Sequence, residues 1–393
     1  MHRVTVFCLV IFVTAISSAD GILFEVRRLD TWRSEAVAVA DFDGDGHLDV
    51  ATGPYLYLAP DFRPRKIRDV KSPVDANGNG YQEDFMNHPL DVNGDGRIDI
   101  VSADVRGQPM WWNENSLPSD GLWPRHDHDR TITFSETGYM VDLDGDGRCE
   151  SIVTDPLKGI YTAGRGTLLQ RDENLHGFGT GCGDLLGTGT NGLVAGNHFW
   201  EQLPNGWKRH PLAIEYDGDA KNGLGHRSNV IVFDVNADGR ADLIFSSAHK
   251  YGLFWFEQLP PDAGKHGSLP FRRHVIDDTW TQAHNPTLAD IDGDGLPELI
   301  AGKRWMAHCK GDPDADAVCG IWYYDLVPGP NPVFTRRTVT SGGDCTAGLN
   351  IVVADMDSDG RPDLVTTSKK GGPWIIYNRG SCKPRVWKNT KSS

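Results

Sequence analysis

The stretch DFDGDGHLD, running from Asp41 to Asp49, decides the fold, because five further stretches repeat its spacing along the chain. They are DVNGDGRID from Asp91, DLDGDGRCE from Asp142, DVNADGRAD from Asp234, DIDGDGLPE from Asp290 and DMDSDGRPD from Asp355. A decayed copy, DLLGTGTNG, begins at Asp184 and keeps only the first acid. Successive copies start 42 to 65 residues apart, the length of one supersecondary unit in a repeat architecture.

Each complete copy sets oxygen-bearing side chains at its first, third, fifth and ninth positions. The sets are Asp41, Asp43, Asp45 and Asp49; Asp91, Asn93, Asp95 and Asp99; Asp142, Asp144, Asp146 and Glu150; Asp234, Asn236, Asp238 and Asp242; Asp290, Asp292, Asp294 and Glu298; and Asp355, Asp357, Asp359 and Asp363. Hard oxygens around a small-residue turn suit Ca²⁺, which takes six to eight such ligands in flexible geometry. An EF-hand would need Glu at the twelfth position, where Thr52, Ser102 and Val153 stand. The flanking residues alternate with period two, as in AVAVA (Ala36 to Ala40) and NIVVA (Asn350 to Ala354), so the loops cap β-hairpins. Asx turns alone would also explain an acid in one such loop, but not the same ligand spacing in six. A shorter match, Asp75 with Asn77, Asn79 and Glu83, is a candidate extra ion site without a strand before it.

After each hairpin comes an aromatic strand, such as MWWNEN from Met110 or IWYYDL from Ile321, and then a basic one, such as FRRHVID from Phe271. Four strands per unit in seven units predict an all-β, seven-bladed β-propeller. Its last unit shows no fourth strand beyond Asn378, while FEVRRLD (Phe24 to Asp30) has the fourth-strand pattern with no unit before it. The N-terminal strand is therefore expected to complete the last blade and remove an open edge. The aromatic strands, with Trp111, Trp112, Trp255, Trp322 and Trp374, read as wedge filling between blades.

The repeats run through nearly all of the 393 residues, which predicts one domain over residues 20–393. Residues 1–19 have a basic start, an apolar run from Val4 to Ile16 and small residues before Asp20, the pattern of a cleaved export signal. No later run reaches membrane length, so a secreted protein, extracellular or periplasmic, is expected. The formal net charge of −15 is concentrated in the acidic loops, and about +12 from six Ca²⁺ would offset most of it. No basic patch with interleaved aromatics points to nucleic acid. Six cysteines remain after the signal, and export suggests pairing of Cys309 with Cys319, Cys149 with Cys182 and, by elimination, Cys345 with Cys382.

These hairpins resemble the FG-GAP/VCBS repeats of integrin α-chain propellers. Together with HGFGTG (His176 to Gly181), AHKYGLFWFEQ (Ala248 to Gln258) and AGKRWMAHCKGDPDA (Ala301 to Ala315), the chain is similar to exported bacterial FG-GAP proteins and to the propeller of aldos-2-ulose dehydratases, which are sugar lyases. The resemblance implies a calcium-loaded propeller and raises the prospect of sugar chemistry.

Residues some eight before or fifteen after the first Asp of a loop should gather at the face opposite the ion. This places His176, His226 and His284 before inner strands, and His198, His249, Lys250, Lys303, Arg304 and His308 after second strands. Lys369 and Lys370 join from the last blade and His88 from the second. Clustered imidazoles and cations at a ring mouth can bind a sugar, hold a divalent metal or abstract a proton beside a carbonyl. For any single histidine a structural hydrogen bond is the plainer reading. His126, His128, His210 and His274, on outer strands, are expected to be structural. Three functions stay open. The first is a monomeric or weakly oligomeric propeller binding carbohydrate at the mouth. In the second, a lyase, His176, His226 or His284 is the base and Lys303 or Arg304 stabilises the enolate. The third is an adhesive module needing no such cluster.

Overall fold

The computed structural model describes residues 14–16, 21–163, 167–171, 179–215, 227–261 and 267–381. Among them the structure is β throughout apart from one 3₁₀ turn, Ala307–Lys310, and no helix is long and apolar enough to cross a membrane. The strands form a β-propeller arrangement of antiparallel meanders. The first has the order Ala38–Ala40, Asp49–Thr52, Tyr55–Leu58 and Arg63–Lys66, and its inner hairpin pairs Ala38 with Ala51 and Ala40 with Asp49 across the acidic loop. That register puts the loop at one end of the blade and the residues before Ala38 and after Thr52 at the other. The meanders starting at Met86, Gly138 and Thr287 repeat it.

One expectation needs correction. Units four and five are not separate sheets. The fourth strand of one, Gly206–Glu215, pairs in parallel with the fourth strand of the other, Leu269–Thr281, from Leu212↔Leu269 to Glu215↔Arg272, giving one eight-stranded sheet beside five separate four- or five-stranded ones. These two strands, at 10 and 13 residues, outgrow the four-residue outer strand of the first meander, so their ends meet. The expected count of seven discrete sheets is therefore not what hydrogen bonding produces.

At the ring closure, Ile22–Arg28 pairs antiparallel with Gly371–Ser381 and forms the outer strand of the last meander. Alternate residues explain why. Ile22, Phe24 and Val26 are buried against Ile321, Tyr323, Leu364 and Ile376, while Glu25 and Arg27 face outward. Thr14–Ile16 adds one more strand outside it.

Hydrophobic clusters fill the junctions between neighbouring meanders. Trp255, Trp280, Trp322 and Tyr324 fill one of them, and Trp374 fills another, so the aromatic strands act as wedges as read from sequence. No disulfide forms among the described residues, against expectation: Cys149, Cys182, Cys309, Cys319 and Cys345 are free thiols. Cys309 turns its sulfur to the Gly80 amide at 3.3 Å, whereas buried Cys319 donates to the Ala317 carbonyl. Cys382 lies outside the described residues.

Candidate functional site

The acidic loops share one backbone design. In the first, Asp41 accepts the amides of Gly44, Asp45 and Gly46 at 2.7, 3.1 and 2.9 Å. The fourth residue must then adopt a left-handed conformation, φ +77° at Gly44, and Ala237 and Ser358 are forced into it in the loops that lack this glycine. The first, third and fifth carboxylates lie within 4.8 Å of one another in the loops of Asp41, Asp142 and Asp290. The decayed loop makes the same turn, with Asp184 accepting Thr188 and Gly189 amides at 2.9 and 2.7 Å. The turn thus forms without acids at positions three and five, although where present they accept amides too, Asp43 that of Asp45 at 3.2 Å and Asp45 that of His47 at 2.8 Å.

The ninth-position acid has a second task. Asp49 accepts the Phe42 amide at 2.9 Å and the Ala59 amide at 2.8 Å, fastening the loop to the end of the third strand. Asp99, Asp242 and Asp363 repeat the pair of bonds, while Glu150 and Glu298 bond the amides of Leu143 and Ile291 at 2.8 Å. In the shorter match Asp75 accepts the amides of Asn77 and Asn79, but Glu83 pairs instead with Arg125 at 3.1 Å.

At the opposite face, several residues six before or fourteen after the first Asp of a loop converge. Phe85, Glu136 and His284 hold the first register and Val105, Pro156, Arg304 and Lys369 the second. A cavity of about 400 Å³ opens there, lined by Tyr81, Phe85, Val105, Phe134, Glu136, Pro156, His249, Arg304 and His308 among others.

Arg304 is the hub. Its side chain is 1% exposed, and the guanidinium binds both oxygens of Glu35, Glu136 at 3.0 Å and the Nε2 of His284 at 2.8 Å. Burial opposes its charge, but Glu35 and Glu136 outweigh that and hold its pKa above the ordinary value. Four of its five N–H donors are taken. His284 is buried, and desolvation with the neighbouring Arg304 and His249 pushes it well below the usual imidazole range, leaving it neutral. Since Nε2 accepts from Arg304, the proton sits on Nδ1, which faces the Gln282 carbonyl at 3.3 Å. Both nitrogens are then engaged, so His284 is not placed to act as a base.

A second pair of imidazoles lies beside it. His249 and His308 stack at 4.1 Å and share one carboxylate, with Nδ1 to Asp312 distances of 3.0 and 2.8 Å. The hydrogen bond to Asp312 raises the His308 pKa. Burial works against the Asp312 carboxylate, yet the bonds from His249 and His308 prevail and hold it far below the carboxylate range. Glu136, His249 and His284 also bring ligand atoms within 4.8 Å of one another, the donor set of a transition metal. However, the Arg304 guanidinium already contacts Glu136 and His284, so a cation fills the place an ion would take.

Of the residues expected at the mouth, His249, His284, Arg304 and His308 come together. Lys303 is buried but donates to Thr281 at 2.6 Å, and burial lowers its pKa. His88 faces Ser151 at 2.6 Å and lines a smaller space with Asn285 and Asn350, where burial pushes it down to about 4. His198 packs toward Trp200 and does not line the cavity. Lys369 sits 3.6 Å over the Tyr81 ring, while Lys370 reaches the Gly343 carbonyl. His176 and His226 lie outside the described residues. His126, His210 and His274 pair with Glu114, Glu201 and Glu257 on outer strands, as structural residues do. Sequence reasoning missed Glu35, Glu136, Tyr81 and Asp312. The two glutamates were findable, since they occupy the register of His284 six residues before a loop.

Two family models match the repeats. Residues 234–301 match the FG-GAP-like repeat family and residues 35–56 the FG-GAP repeat family, so the chain carries FG-GAP repeats. No curated protein sequence matches. Among solved structures, an Agrocybe aegerita lectin recognising non-reducing terminal N-acetylglucosamine is similar at 15% identity and TM-score 0.44, over 88% of this chain and 90% of that one. The exotype rhamnogalacturonan lyase YesX aligns at 13% identity and TM-score 0.47, over 94% and 76%. The V. cholerae biofilm matrix protein Bap1 aligns at 12% and 0.36, over 89% and 81%.

Proposed function

We propose that this chain is an exported, calcium-loaded propeller that binds a carbohydrate at the mouth opposite its acidic loops. The observation that carries the ligand reading is the cavity. Tyr81, Phe85, Phe134 and Pro156 offer flat apolar surface for the C–H face of a sugar, and Glu136, His249 and His308 offer hydrogen bonds for its hydroxyls. The blade count of the reading is seven, with the eight-stranded sheet taken as two blades. Seven core clusters, each joining consecutive meanders and the last joining the seventh to the first, support that count.

For calcium, the support is the contrast between loops. The Asp184 turn forms without acids at positions three and five, whereas the loops of Asp41, Asp142 and Asp290 each bring three mutually repelling carboxylates within 4.8 Å. Bound Ca²⁺ would relieve that repulsion, with the first, third and fifth side chains of each complete loop holding it. Export rests on the N-terminal sequence pattern.

The test is calorimetric binding of D-glucose, D-glucuronate and an oligogalacturonate to the full chain and to His308→Ala. Saturable binding that weakens at least tenfold in the variant is expected. No binding by any of the three would refute the reading and favour an adhesive role. A second reading, a lyase for a keto-sugar or uronate, is favoured by the Asp312 carboxylate that orients His249 and His308. Such an imidazole can take the proton beside a carbonyl. Appearance of an ultraviolet-absorbing unsaturated product from the oligogalacturonate would select this reading.

A further inference from the structure

Tyr81 arises from the long connection between the first and second meanders and has no counterpart in the repeat. Its ring is fixed from two sides. Phe85 packs against it with centroids 5.5 Å apart, and the Lys369 ammonium stands 3.6 Å above its centroid, with the Arg304 guanidinium at 5.9 Å. The segment itself is tied down by the Gly80 amide to Cys309 and the Glu83 amide to the Lys71 carbonyl at 3.0 Å. The side chain lines the 400 Å³ cavity. Nevertheless, its hydroxyl is buried and has no hydrogen-bond partner among the described residues.

A buried hydroxyl without a partner has lost its water and gained nothing for it, and such groups are rare enough that each calls for something that satisfies it. The atoms around Tyr81 do not supply that partner. Arg304 spends four of its five donors on Glu35, Glu136 and His284, and Lys369 spends one on the Met306 carbonyl at 3.1 Å. Neither group accepts a hydrogen bond in any case. What is missing is an acceptor inside the cavity. Burial also raises the Tyr81 pKa, so the phenol carries its proton at neutral pH and is a donor.

We infer that Tyr81 is a ligand-contacting residue of the mouth, whose hydroxyl donates to an oxygen of a bound pyranose. The inference rests on the reading of the mouth as a carbohydrate site. The apolar wall of Val105, Phe134 and Pro156 faces the same space, so the occupant has an apolar face and at least one acceptor oxygen on its edge. A pyranose ring meets both demands. The cation above the ring adds to the effect, because it draws electron density from the phenol and strengthens the O–H as a donor.

Tyr81→Phe removes the oxygen and keeps the shape. Binding of D-glucose, D-glucuronate and the oligogalacturonate is measured for wild type, Tyr81→Phe and His308→Ala, with a thermal melt of each ligand-free protein. The expected result is a roughly tenfold loss of affinity in Tyr81→Phe with an unchanged or higher melting temperature, since the unsatisfied group is gone. A residue with a merely structural role would not divide the two readouts in that way. If Tyr81→Phe melts several degrees lower, the hydroxyl has a structural partner and the inference fails. If it binds like wild type while His308→Ala does not, the mouth remains a site but Tyr81 has no part in it. If no probe binds wild type, or both variants bind as wild type does, the mouth reading falls and the inference with it.

Discussion

Replacing Arg304 by Met should destabilise the ring without opening a new site. The guanidinium is 1% exposed and neutralises two carboxylates, Glu35 at 1% and Glu136 at 11% side-chain exposure. Removing one partner of a buried ion pair leaves the others desolvated and unpaired, which costs about 3–5 kcal/mol. With an unfolding entropy near 2.1 cal/mol/K per residue over 393 residues, that corresponds to a fall in Tm of about 4–6 °C. Pairing it with Glu35→Gln tests the cause, because the double variant loses both the charge and its orphaned partner. The double variant should therefore regain part of the loss. Calorimetric melts of the four proteins give the coupling directly. A single variant within 1 °C of wild type, or a strictly additive cycle, would refute the view of Arg304 as a buried structural hub and restore it as a group available to a ligand.

The remaining outcomes concern the ions and the seam. Stripping calcium with a chelator should lower Tm by many degrees, since ions that bind only the folded loops stabilise it by mass action. An unchanged melt together with elemental analysis free of calcium would sink the ion assignment. Deleting Ile22–Arg28 removes buried Ile22, Phe24 and Val26 and bares the edge of Gly371–Ser381, so light scattering should report aggregation. A monomeric, equally stable truncation would show that the seam is dispensable.

The acidic loops, the hairpins around them and the seam were legible because each is written in local pattern: ligand spacing, period-two alternation and a fourth-strand motif with no unit of its own. The mouth was half legible. Arg304, His249 and His308 follow from the register after the second strand, and His284 from the register before the first. Glu35 and Glu136 share that register, but a search for imidazoles passed over carboxylates. Asp312 and Tyr81 sit in insertions, where no repeat fixes the register and only tertiary packing decides the position. The parallel joining of Gly206–Glu215 to Leu269–Thr281 depends on strand length past the usual blade edge, which alternation does not encode. The cysteine pairings failed because spacing says nothing about which way a thiol points.

A propeller is usually pictured as a wheel with an open axle. Here residue 304 reaches across to residue 35 and also holds residue 136, so three blades far apart in sequence are bolted together at one end of the axle. The ring is thus tied across its middle, at the end opposite the acidic loops, by buried charges and not by strand pairing. The wheel therefore has two fastenings of different kinds, the strand seam at its rim and the charged bolt at its hub.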